Sequence, residues 1–107
     1  MADKVLSLLG LARRAGKLEA GFDAAVSAAR AKKARLLLAA RDVSEKTVKN
    51  LKYEGDRAGI PTVSVNAGME ELGRACHVRA GVLAVTDQGF AAALVQEMER
   101  EKEEISL

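Results

Sequence analysis

A single cysteine, Cys76, leaves the chain without an internal disulfide, and a single histidine, His77, leaves it without a set of zinc ligands. Cys76 reads as a small buried apolar residue. Long apolar runs are missing too. The longest stretch free of charged residues is the twelve from Ala58 to Met69, well short of the roughly 20 that cross a bilayer. The N-terminus has no basic, apolar, small-residue signal series, so no membrane partner and a cytoplasmic location are expected. Aromatic rings are scarce, with Phe22, Tyr53, Phe90 and no tryptophan. Single-strand binders of the RRM and OB types stack bases on several rings across a sheet, and that mode is excluded. Enzyme signatures are absent as well. No phosphate loop, dinucleotide fingerprint, metal-ligand helix or nucleophile elbow occurs. Gly16-Lys17 is followed by Leu18, and the glycines at 10, 16 and 21 are too widely spaced for a GxGxxG turn. No catalytic residue, metal or cofactor is therefore expected. His77 reads as a loop or surface histidine. Asp42 reads as a carboxylate that stabilises the following turn or helix start, rather than as half of an acid pair with Glu45.

What is present is one domain's worth of chain: 107 residues, 49% apolar and 30% charged, enough for a single core. The net charge of +2 conceals an asymmetry. Residues 1 to 53 carry 12 Lys/Arg against 5 Asp/Glu, whereas residues 54 to 107 carry 5 against 10. The first half is the one that would face a polyanion. The alternative is that its cations solvate exposed helix faces.

Periodicity divides the chain into alternating helices and short strands. Residues 3 to 15 put Val5, Leu6, Leu8, Leu9, Ala12 and Ala15 on one helical stripe, stopped by Gly16. "KLEA" reads as an extended link. Gly21 opens a second helix reaching about Lys33, with Arg30, Lys32 and Lys33 at the end where cations suit the helix dipole. "ARLLLAA" has the pattern of a strand covered on both faces. Ser44 caps a helix over 45–58, ended by Ile60-Pro61. "TVSV", the helix "GMEELGRAC", the strand "GVLAVT" and a last helix capped by Asp87 follow. The expectation is a three-layer α/β/α sandwich around a small mixed sheet, a single domain over 1–107, with residues 97–107 an acidic helical tail.

With sheet stacking excluded, the remaining nucleic-acid mode is recognition of folded RNA by shape, through a helix start, backbone amides and basic side chains. Gly21 at a helix start suits this, because a residue without Cβ lets another backbone approach. An ordinary N-cap glycine is the competing reading.

The order of "LLGLARRAGKLEAG", "ARLLLAARDVS", "GIPTV", "LGRAC" and "AVTDQGFA" resembles the bacterial YlxQ-like branch of the kink-turn-binding ribosomal protein superfamily, named after the large-subunit proteins L-seven-Ae and L-thirty-e. The similarity spans residues 5 to 95. It implies an α/β/α sandwich that grips a sharply bent RNA, with helix two at the sheared G·A pairs and the loop after helix four covering an extruded nucleotide. Carried onto this sequence, the helix-two contacts fall at Gly21, Phe22, Asp23, Ala24 and Ser27, and the second loop at His77, Val78, Arg79 and Ala80, with Asp42 and Val43 beside them. Members of the superfamily carry Gly-x-Asn-Glu and a lysine one turn later, where this chain has Asp23, Ala24 and Ser27. Lys17, Lys32, Lys33, Arg41 and Lys46, with Arg13, Arg14, Arg30 and Lys49, are expected to supply the phosphate footprint. The expected protein is a non-enzymatic, monomeric, ribosome-associated binder of ribosomal or other kink-turn-like RNA. The alternative is a protein-interaction module of the same fold.

Overall fold

The computed structural model describes residues 3–105, with side chains for residues 4–102. In chain order the elements are α1 (Asp3–Arg14), β1 (Leu18–Ala20), α2 (Phe22–Arg30), β2 (Leu36–Ala39), α3 (Glu45–Ala58), β3 (Thr62–Ser64), α4 (Met69–Cys76), β4 (Val82–Val85) and α5 (Gln88–Ile105). The two uninterrupted apolar runs, β2 and β4, are buried at every position and form the middle of a four-stranded sheet ordered β1-β4-β2-β3. β4 runs antiparallel to both β1 and β2, and β3 runs parallel to β2. The sheet is mixed, as expected.

Successive side chains of a strand point to opposite faces, so each apolar run feeds two cores. Leu36, Leu38, Leu83 and Val85 join Val5, Leu9, Leu72, Cys76 and Leu94 on the side of α1, α4 and α5. Leu37, Ala39, Val82 and Ala84 join Ala25, Ala28, Ala29 and Leu51 on the side of α2 and α3. The three layers follow from this division. Cys76 is buried, and that burial pushes its thiol above the ordinary range.

Some sequence expectations are corrected. "KLEA" is not a bare link. Its Leu18, Glu19 and Ala20 pair with Val85, Ala84 and Leu83, adding an edge strand. Only Leu18 of the three is buried, which is why no alternating pattern announced it. The third helix spans Glu45–Ala58 as expected, but its stop is made at Gly59 before Ile60-Pro61 is reached. Gly59 takes the left-handed conformation, φ 73°, and the amides of Gly59 and Ile60 donate back to the Asp56 and Gly55 carbonyls. Helix two closes at Arg30, with Lys32 left-handed at φ 61°. The acidic tail expected over 97–107 continues α5 as far as Ile105, and its last two residues lie outside the described residues.

One polar atom in this core is out of place. The Thr62 hydroxyl is buried without a hydrogen-bond partner, tight against Gly55 of α3. An unsatisfied buried hydroxyl costs about 1–3 kcal/mol. Thr62→Val should therefore raise the thermal midpoint, by about 1 kcal/mol in stability. A lower midpoint in a melting experiment would show that the hydroxyl has a partner.

Candidate nucleic-acid interface

Gly21 sits between β1 and α2 with φ 104° and ψ 153°, a region open essentially to glycine alone. Its N–H donates to the Val82 carbonyl at 2.8 Å, which fastens the start of α2 to the start of β4. A Cβ built here would meet nothing within 4 Å. The glycine is thus required by the backbone, and the space before it is open.

Among α2, α3, α4 and α5, whose starts lie within the described residues, α2 is distinguished by a bare end. At α3 the Ser44 hydroxyl accepts from the Thr47 amide. At α4 the Glu71 carboxylate reaches back to the Gly68 amide, and the Asp42 carboxylate takes the Met69 amide at 3.0 Å. At α5 the Asp87 carboxylate takes the Phe90 amide. α2 has no side-chain cap. Its first amides, on Phe22, Asp23 and Ala24, have no acceptor within the helix and point outward together with the positive end of the helix dipole.

Two loops flank that start. The Ala40 amide donates to the Gly81 carbonyl at 2.7 Å, so the end of β2 and the loop before β4 lie side by side. Val43 and Met69 both press on Gly81: a Cβ there would come within 2.5 Å of Val43 Cγ2 and 3.0 Å of Met69 Cγ. Val43 and Phe22 pack on the same core. One end of the sheet therefore gathers Gly21, Phe22, Asp23 and Ala24, then Arg41, Asp42, Val43 and Lys46, then the loop His77 to Ala80. His77 takes the left-handed conformation, φ 56°, as the C-cap of α4, with its amide on the Gly73 carbonyl and its side chain exposed. Histidine is among the few residues that tolerate this without glycine.

Within that gathering, several side chains have structural work of their own. Asp42 does act at a helix start, but at that of α4, 27 residues on. Arg41 binds the Asn66 side-chain carbonyl and the Glu71 carboxylate, each at 3.2 Å. Val78 is only 9% exposed and belongs to the core, so it does not offer an apolar face to solvent. Met69 takes that place. It is 43% exposed, stands at the first turn of α4 and lies against Gly81. Neither Met69 nor Gly81 stands out in the sequence. Their signal, an apolar residue at the exposed start of a helix and a glycine entering an apolar strand, is present but common.

The basic residues at the far end of α2 separate. Lys17 precedes β1, and its carbonyl accepts from Thr86 beyond the end of β4, about 13 Å from Gly21 along the strand. Lys33 shares a shallow groove of about 280 Å³ with Glu19, Ala24 and Ser27 on the β1 side of α2. Lys32 instead lines a cleft of about 340 Å³ on the α3 side with Arg30, Glu54 and Arg57. Arg30 is held there by Glu54 through two bonds, Nε to Oε1 at 3.2 Å and Nη2 to Oε2 at 2.9 Å. That pairing raises the arginine and lowers the glutamate from their ordinary pKa values.

The model of the ribosomal protein L7Ae/L30e/S12e/Gadd45 family matches residues 3–95. The RNA-binding protein YlxQ of Bacillus subtilis is 38% identical over 89 residues, covering 82% of this chain and 88% of that protein. Its counterpart from Enterococcus faecium is 33% identical over 88 residues, covering 82% and 84%. Among solved structures, a Bacillus halodurans protein described as of unknown function superposes with a TM-score of 0.82 at 34% identity, over 87% of this chain and 94% of the other. A 15.5kD RNA binding protein of Giardia lamblia shares the fold with a TM-score of 0.76 at 23% identity, over 92% and 88%.

Proposed function

Because the chain belongs to the ribosomal protein L7Ae/L30e/S12e/Gadd45 family, we propose that it is a non-enzymatic protein that binds structured, kink-turn-like RNA, acting as a monomer in the cytoplasm in association with the ribosome. The observation that carries this reading is the uncapped start of α2 at the same sheet end as the loops 41–43 and 77–80. Three outward amides and a helix dipole receive a phosphate or a base edge. Gly21 leaves the approach open, and Met69 with Val43 supplies an apolar surface for an unstacked base. Lys46 stands on the first turn of α3 beside them, exposed. Ala24, Ser27 and Lys33 line the groove that continues from the helix start. The RNA-binding relatives from Bacillus subtilis and Enterococcus faecium support the same class of ligand.

The polar equipment for the sheared pairs is thin. Asp23 brings a negative charge, and Ala24 and Ser27 cannot make the contacts of a glutamate and a lysine. Affinity is accordingly expected to rest on phosphates and shape. If four to six phosphates are contacted, log affinity falls with log salt at a slope of roughly −3 to −5. Titration of a kink-turn RNA against a straight duplex of equal length, at several salt concentrations, tests this. Preference for the bent RNA with that slope supports the reading, and Ala24→Glu should widen the preference. No binding at low salt, or a slope near zero, assigns the basic half to solvation and favours a protein-interaction module.

A further inference from the structure

The outer face of α3 carries a stripe that starts at Lys46, beside the bent-RNA site, and runs on beyond that site. Lys46, Lys49, Tyr53 and Arg57 recur at spacings of three and four and are all exposed. They run roughly 16 Å from the bent-RNA end to the cleft where α3 meets the end of α2. Tyr53 stands 60% exposed, with the Arg57 guanidinium 5.7 Å from the ring centroid. An aromatic ring so exposed is unusual in a chain with only 3% aromatic residues. In the cleft beyond it, Arg30, Lys32 and Arg57 surround one carboxylate, Glu54, which Arg30 already occupies. Asp56 is likewise engaged, with Lys52. Lys32, Lys49 and Arg57 have no ion-pair partner among the described residues.

We infer that this stripe is a second RNA contact, taking a single-stranded segment with one base stacked on Tyr53 and the adjacent phosphate in the Arg30–Lys32–Arg57 cleft. The inference rests on the reading of the chain as an RNA binder and extends it to a second RNA class. Single-stranded rather than duplex RNA is indicated because an isolated ring can stack only on a base that has left its own stack, while flanking cations track the backbone. Glu54 fits the assignment: by holding Arg30 it fixes one wall of the cleft, while Lys32 and Arg57 form no ion pair among the described residues and Arg57 stands between the Tyr53 ring and Glu54. Lys49, one turn before Tyr53, continues the positive track toward Lys46.

The chain contains one tyrosine and no tryptophan, so tyrosine emission reports on Tyr53 alone. Titration with an unstructured oligoadenylate of on the order of ten nucleotides, corrected for its absorbance, should quench that emission saturably at low salt. Lys32→Glu with Arg57→Glu, both at exposed positions, should weaken the titration at least tenfold while the thermal midpoint holds. Tyr53→Ala, followed by anisotropy of a labelled oligoadenylate, should weaken binding between about fivefold and a hundredfold. Unquenched emission, or quenching that survives the double charge reversal, overturns the inference and returns the face to solvent or to a protein partner. The two readings fail separately. Loss of quenching with kink-turn binding intact removes only the second contact, whereas quenching without kink-turn preference removes only the bent-RNA site.

Discussion

Gly21→Val is expected to lower both stability and RNA affinity, by mechanisms that can be measured apart. A residue with a Cβ forced to φ 104° and ψ 153° costs about 1–3 kcal/mol, which in a domain of this size lowers the thermal midpoint by about 5 to 20 °C. The cost comes from the backbone conformation, since a Cβ at this position meets no atom of another segment within 4 Å. The added side chain stands instead in the open space before the Phe22, Asp23 and Ala24 amides. Affinity for a kink-turn RNA, measured below the variant's midpoint, should fall more than tenfold, or 1.4 kcal/mol. Stability lost with affinity unchanged would leave Gly21 a purely conformational glycine and place the RNA elsewhere.

The elements legible in the sequence were those whose cause is local. "LLLA" and "VLAV" announce strands covered on both faces because every position is apolar, and both are buried throughout. The cap residues Ser44 and Asp87 act within three residues of themselves. β1 failed that test. It is three residues long, exposes Glu19 and Ala20, and exists because β4 offers it a partner more than sixty positions on. The end of α2 failed for a related reason. No glycine marks it, and Lys32 adopts the left-handed turn that usually advertises itself with one.

The candidate site divides along the same line. Its three segments were nameable from the family resemblance, and the folding of the sheet puts them at one end through the Gly21–Val82 and Ala40–Gly81 backbone bonds. Which side chains are available there could not be read from spacing. Asp42 and Arg41 are drawn to α4 by Met69, Asn66 and Glu71, partners between 25 and 30 residues away. Val78 is buried and Met69 exposed although both are apolar, and nothing in their spacing marks the difference. Lys32 and Lys33, adjacent in sequence, open onto opposite sides of α2. Reversing both charges together would therefore confuse two surfaces.

Leu36→Ala should separate the core from the site. Leu36 is fully buried and opposite Val85, at the end of β2 away from Gly21, about 13 Å from Ala40 along the strand. Removing its side chain from a close-packed interior costs about 2–5 kcal/mol, more than the backbone strain expected of Gly21→Val. Leu36 belongs to the core shared by α1, α4 and α5, on the face opposite α2 and α3. The folded fraction should therefore bind a kink-turn RNA with unchanged affinity. Mass action then gives a signature: RNA held at about a hundred times its dissociation constant should return roughly 2.7 kcal/mol of stability. The same RNA should raise the midpoint of Gly21→Val far less, since that variant has lost the contact itself. Were Leu36→Ala to lose affinity while still folded at low temperature, the two cores would be coupled through the sheet, and the α2 start could no longer be treated as a site independent of the layer behind it.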